Sequence, residues 1–185
     1  MNKKLAAAVS GGAVLMLVLS GCGGGEDDGA KKADAWAKKV CDQWEPQLTK
    51  IKDTNDELKR VATQSSKPEE VQKTDSAAFQ TLSDAYKSMG GSLTSAGEPP
   101  VKDGKSAADA VVKSYDEISK GYIDLKTKID ALDPKDQAKF AEGLQQVAGG
   151  LTEVAANETA SKQKLSSTGL RVLNTQKGCQ VTTAK

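Results

Sequence analysis

From residue 33 onward the apolar residues of this chain recur at alternating steps of three and four, which places them along one stripe of a helix. The clearest run is Ala108, Val111, Tyr115, Ile118, Tyr122, Leu125, Ile129 and Leu132. Off that stripe, Asp109 and Lys113, Asp116 and Lys120, and Asp124 and Lys128 are spaced as acid-to-base pairs on a solvated face. Each such pair contributes ~0.2–0.5 kcal/mol. A later run repeats the pattern with Phe140, Leu144, Val147, Leu151 and Val154, is interrupted by polar Glu158, and resumes at Leu165 and Leu170. Asp133-Pro134 reads as its start, an N-cap oxygen followed by a first-turn proline.

Two earlier runs complete the set. Trp36, Val40, Trp44, Leu48, Ile51, Leu58 and Val61 form the first, with Pro46 inside it as an expected kink. Val71, Ala78, Leu82, Tyr86, Met89 and Leu93 form the second, opening at Ser66-Lys67-Pro68-Glu69-Glu70. Breaks fall at Ser65-Ser66-Lys67, at the glycine- and proline-rich stretch 97–104, and at Asp133. No window alternates strictly enough to suggest a sheet. Four helices of ~28–40 residues on short loops predict an all-α, antiparallel up-down-up-down four-helix bundle over residues 33–180, with 181–185 as a disordered tail.

The N-terminus has a different pattern. Lys3 and Lys4 precede an apolar run over residues 5–19, short for the ~20 residues that span a bilayer but suited to a signal peptide. Leu19-Ser20-Gly21-Cys22 follows and resembles the lipobox of bacterial lipoprotein precursors. The resemblance implies a cleaved signal peptide over residues 1–21, cut between Gly21 and Cys22, and a diacylglyceryl thioether on Cys22. Two acyl chains anchor a protein stably where one holds only marginally. Loss of Lys3 and Lys4 takes the formal charge from +1 to about −1, so lipid rather than electrostatics would hold the protein to a membrane. Residues 22–32, rich in glycine and charge, read as a flexible tether.

With Cys22 lipidated, Cys41 and Cys179 remain. In an antiparallel bundle the start of the first helix and the end of the fourth lie at one end, and outside the cytoplasm disulfides persist. A Cys41–Cys179 bridge is the favoured expectation, the alternative being two separate buried thiols.

Composition narrows the chemistry. The chain holds 26 Lys+Arg against 25 Asp+Glu and no histidine. The balance excludes a strongly basic nucleic-acid binder, and the missing imidazole removes Ser-His and Cys-His nucleophile pairs. Acidic neighbours at Asp27-Asp28, Glu69-Glu70 and Asp116-Glu117 point to different helix faces and do not converge on a substrate. Glu26-Asp27-Asp28-Gly29 lacks the spacing and closing glutamate of a calcium loop. No cofactor, metal or catalytic residue is expected, and Asn157-Glu158-Thr159 reads as a chance glycosylation match. Gly90-Gly91 and Gly149-Gly150 inside helices read as tolerated weak points, and Trp36 and Trp44 as core around the bridge. Glu158 reads as a frayed, exposed register in preference to a buried carboxylate.

The chain as a whole resembles the small secreted lipoproteins of Streptomyces-type actinobacteria. The likeness rests on the lipobox, Trp36-Ala37-Lys38-Lys39-Val40-Cys41-Asp42-Gln43, Val71-Gln72-Lys73-Thr74-Asp75-Ser76-Ala77-Ala78-Phe79, Ala131-Leu132-Asp133-Pro134-Lys135-Asp136-Gln137-Ala138-Lys139-Phe140 and Gly178-Cys179. It implies export and lipidation on the outer face of a cell membrane, and no established activity. The expectation is a non-catalytic cell-surface binding module of unknown ligand and partner, held to membrane lipid through Cys22. The alternatives are a protective lipoprotein against phage, peptide or toxin, and a small-ligand carrier or hydrolase with a cavity between helices. A core thin in aromatics and rich in Ala, Val and Leu favours close packing over such a cavity.

Overall fold

A computed structural model describes residues 24–63 and 66–180 of the chain. Among the described residues the structure is all-helical, with α1 (Gly24–Thr63), α2 (Pro68–Ala96), α3 (Gly104–Asp130) and α4 (Gln137–Ser167). Two 3-10 turns, Gly169–Thr175 and Lys177–Cys179, follow as a C-terminal strap. The signal segment 1–21, Cys22 with its cleavage site, and the tail 181–185 lie outside the described residues. No described helix is long and apolar enough to cross a membrane.

Successive helices pack against one another. Trp44 of α1 meets Met89 of α2, Ser83 of α2 meets Ser119 of α3, and Tyr122 of α3 meets Glu158 of α4. The α2–α3 hairpin is the centre of this helical bundle, flanked by α1 against α2 and α4 against α3. Phe79, Leu82, Leu93, Val111, Ile118, Leu125 and Ile129 are among its fully buried side chains. Burying a Leu, Ile or Phe contributes about 1.5–3 kcal/mol, so the stripes read from sequence hold the helices together. Aromatics are few, but Trp36, Trp44, Phe79, Tyr86, Tyr115, Tyr122 and Phe140 are all buried.

Four local expectations change. Residues expected in the flexible tether are helical from Gly24, and residues 28–32 are exposed, so α1 begins as a projecting rod. α1 also continues through Pro46, which is exposed, so water can reach the carbonyl the proline leaves unpaired. On α3, lysines pair forward instead: Lys105 with Asp109 at 2.6 Å, Lys113 with Glu117 at 4.0 Å and Lys120 with Asp124 at 2.6 Å. Lys113 and Lys120 have acids both four residues before and four after, so sequence leaves the direction nearly degenerate. Finally, α4 starts three residues beyond the expected point. Asp136 caps it by accepting from the Lys139 amide at 3.2 Å, while Asp133 accepts from the Lys135 amide at 3.0 Å in the preceding turn.

The Cys41–Cys179 pair has disulfide geometry, with Cα atoms 4.9 Å apart across a sequence separation of 138. Gly178 makes the approach possible, because a Cβ there would lie 2.6 Å from the Cys41 carbonyl oxygen. The strap thus ties α4 to α1 at one end of the molecule, and Leu170 and Leu173 are buried beneath it.

Candidate functional site

At the other end α1, α2 and α4 border an open groove. The last turns of α1 supply Leu58, Lys59, Val61 and Ala62, and α4 supplies Leu144, Val147, Ala148 and Leu151. Val71, Asp75 and Phe79 of α2 lie between them. These residues line an open groove of about 520 Å³, within the ~300–1,000 Å³ typical of small-ligand sites. The expectation of close packing over an inter-helix cavity does not anticipate this open seam.

Asp75 sets the groove's electrostatics. Its side chain is half-buried and makes no hydrogen bond or ion pair among the described residues. Burial disfavours its charged form and pushes the carboxyl up to about 6. Lys59 is the other ionisable residue of the lining, but its side chain is 79% exposed and lies 3.9 Å from Asp56 on the outer face of α1. The remaining walls are uncharged. The arrangement is therefore an apolar trough with one unpaired carboxylate on its wall.

Three other depressions lie near the Pro99–Gly104 turn. One is about 190 Å³, between α2 and α3; the two of about 530 and 540 Å³ are lined largely by exposed Lys102, Asp103, Lys105 and Ser106. They lack the continuous apolar wall of the groove.

A second polar group lies inside the bundle. Tyr122 donates to Glu158 at 2.8 Å, so Glu158 is half-buried and held rather than frayed and exposed. Burial, followed by the negative Glu158, raises the ionisation of Tyr86 and Tyr122 far above the phenolic range. Burial raises Tyr115 as well. The three phenols therefore stay protonated, and Tyr122 is the donor to the carboxylate. The buried Ser161 hydroxyl beside them has no partner in hydrogen-bonding geometry. Rings run from Trp44 to Tyr115 (5.6 Å between centroids), Tyr86 (5.5 Å), Tyr122 (6.1 Å) and Phe79 (6.2 Å), ending at the groove.

The other residues singled out in the sequence fall into place as scaffold. Trp36 donates its indole N–H to the Gly97 carbonyl and Trp44 to that of Met89, both at 3.0 Å. Gly91 and Gly149 face open space. A Cβ at Gly90 would make ordinary contact with Tyr115, whereas one at Gly150 would meet Leu125 at 2.6 Å. Glu69, Glu70, Asp116, Glu117 and Asn157 are exposed. Among the described residues no cluster of three or more metal-ligating side chains occurs.

Sequence reading missed Asp75 as a site residue, although its position was informative. It stands four residues after Val71 and four before Phe79, where the α2 stripe would otherwise continue. Gln72 was missed too; its amide donates to the Ile129 carbonyl at 3.0 Å and the Leu132 carbonyl at 2.7 Å, closing the C-terminus of α3.

No family model matches this chain, and no curated protein or solved structure matches it. The groove is read on its own geometry.

Proposed function

We propose that this protein is a lipid-anchored, extracytoplasmic, non-catalytic binding module that takes an amphiphilic ligand in the groove between α1, α2 and α4. The anchor is assigned from Leu19-Ser20-Gly21-Cys22 and the apolar run before it. The finer architecture belongs to the same proposal: an up-down-up-down four-helix bundle, pinned by sulfur at the membrane end and open at the far end. At 1.5 Å per residue, Leu58 lies about 50 Å along α1 from Gly24. The groove would therefore face away from the membrane that holds Cys22, toward the envelope.

The observation that carries the binding reading is the apolar groove itself, about 520 Å³ in volume where α1 and α4 separate. A bundle with only a structural role gains by closing that seam, since apolar burial stabilises at about 25 cal/mol per Å². Among the alternatives raised by the sequence, the groove favours a small-ligand carrier, which shares this binding chemistry.

Two measurements test the proposal. Mass spectrometry of the native membrane-associated protein should find an N-terminal Cys22 carrying a diacylglyceryl group, and Cys22→Ala should leave the signal segment uncleaved. An unmodified chain still starting at Met1 would refute the anchor. For the groove, decanol should bind at one site per chain and be excluded by Ala148→Phe, which fills the trough from α4. Binding unaffected by that change would refute the site.

A further inference from the structure

We infer that the groove selects amphiphiles bearing one cationic head, an alkylammonium or similar onium group, and that Asp75 is the residue that recognises it. The inference rests on the proposed binding function and names its ligand class. A ligand with an apolar body buries the surfaces of Leu58, Val61, Leu144, Val147 and Leu151. Those walls do not discriminate between heads, because each added methylene gains only about 0.8 kcal/mol whatever the head carries. Asp75 does discriminate.

Its carboxylate is half-buried, unpaired and set among apolar side chains, so it is charged at a cost that nothing in the protein offsets. An ammonium placed beside it would supply the missing partner in a medium less screening than water. An anionic head would meet repulsion at the same point, and a neutral head would leave the carboxylate uncompensated. Lys59 does not compete for Asp75, since its ammonium is solvated and paired toward Asp56. No other charged residue of α1, α2 or α4 lines the groove. Charge complementarity thus commits the site to a cation, and the length of the apolar wall commits that cation to an amphiphile.

The test uses the chain from residue 22 onward with Cys22→Ser, which retains every described residue and carries no acyl chain. Calorimetric titration compares decyltrimethylammonium, decanol and decyl sulfate below their critical micelle concentrations. The quaternary head keeps its charge at every pH, so any titration belongs to the protein. Decyltrimethylammonium should bind at least tenfold tighter than either other probe at pH 7.5. Asp75→Asn should remove that preference and leave decanol affinity within about twofold. Affinity of the unaltered groove for the cation should fall about tenfold from pH 7.5 to pH 5, as Asp75 takes up a proton.

Equal affinity for the three probes, or a preference that survives Asp75→Asn, overturns the cation assignment while leaving the groove as a binding site. Failure of all three to bind overturns both readings. A monodisperse dimer that Ala148→Phe converts to monomer would make the groove a self-association face, and would overturn the amphiphile assignment as well.

Discussion

Replacing Asp75 by Asn should make the protein more stable at neutral pH, a direction that separates a functional carboxylate from a structural one. The carboxyl is raised from 3.8 to about 6 by burial alone. At 1.36 kcal/mol per pH unit a shift of that size corresponds to about 3 kcal/mol for a sealed site; the half-exposed, solvent-screened position of Asp75 reduces it to roughly 1 kcal/mol. The sign follows from proton binding. Between about pH 4 and pH 6 the folded state holds the Asp75 proton more tightly than the unfolded chain does, so stability falls as pH rises through that window. The penalty is complete above pH 6 and vanishes below the unfolded value. Urea unfolding followed by the fluorescence of buried Trp36 and Trp44 should therefore show Asp75→Asn about 1 kcal/mol more stable than the unaltered chain at pH 7.5 and equal to it near pH 4. Other carboxylates titrate in both proteins and cancel in the difference. A loss of stability in the variant at pH 7.5, or a difference identical at the two pH values, would refute the claim that Asp75 is an uncompensated buried charge.

Other changes probe the scaffold. Cys41→Ser with Cys179→Ser should lower stability by about 4–5 kcal/mol on the chain-entropy account of a bridge with sequence separation 138, and dithiothreitol should bring the unaltered protein down to the same melting temperature. Gly178→Ala sets a methyl against the α1 backbone at Cys41, which cannot step aside, and should cost about 1–3 kcal/mol in thermal denaturation. Gly149→Ala, with nothing within 4 Å, should instead raise stability by up to ~1 kcal/mol. Gln72→Leu leaves the Ile129 and Leu132 carbonyls without their side-chain donor and should cost about 1–2 kcal/mol, with faster amide exchange confined to the end of α3.

Helices were legible because a 3.6-residue period needs no knowledge of neighbours: Val111, Ile118, Leu125 and Ile129 announce a buried face by spacing alone, and each is buried. The pairing of Cys41 with Cys179 was legible once Cys22 was set aside for lipid, since an expected antiparallel bundle brings the two remaining cysteines to one end. Local electrostatics were less so. Lys113 and Lys120 can each reach an acid on either side, and Asp133 and Asp136 both offer an oxygen to an incoming helix, so rotamers and backbone turns decide between equivalents. The groove was not legible at all, because it depends on how far α1 stands from α4, and neither helix encodes that distance by itself.

The C-terminal strap explains that distance. At the sulfur-bridged end the strap packs on α1, α3 and α4, and the buried Leu170 and Leu173 occupy the space between the outer helices. Inserting chain there holds α1 and α4 apart, and both are long, stiff rods, so the separation persists along their length. At the opposite end no described segment fills the same gap. Leu58, Leu144 and Leu151 face it partly exposed, Val61 is buried in its wall, and α2 places Asp75 where its stripe would otherwise carry an apolar side chain. One seam is thus filled by leucine where the disulfide closes it and left open beside a lone carboxylate where nothing does. A sequence selected only for stability would put Leu or Met at position 75 and shrink the groove. Such a side chain completes the stripe between Val71 and Phe79 and removes an unpaired charge, so its absence is the feature that a purely structural role for this end of the bundle fails to explain.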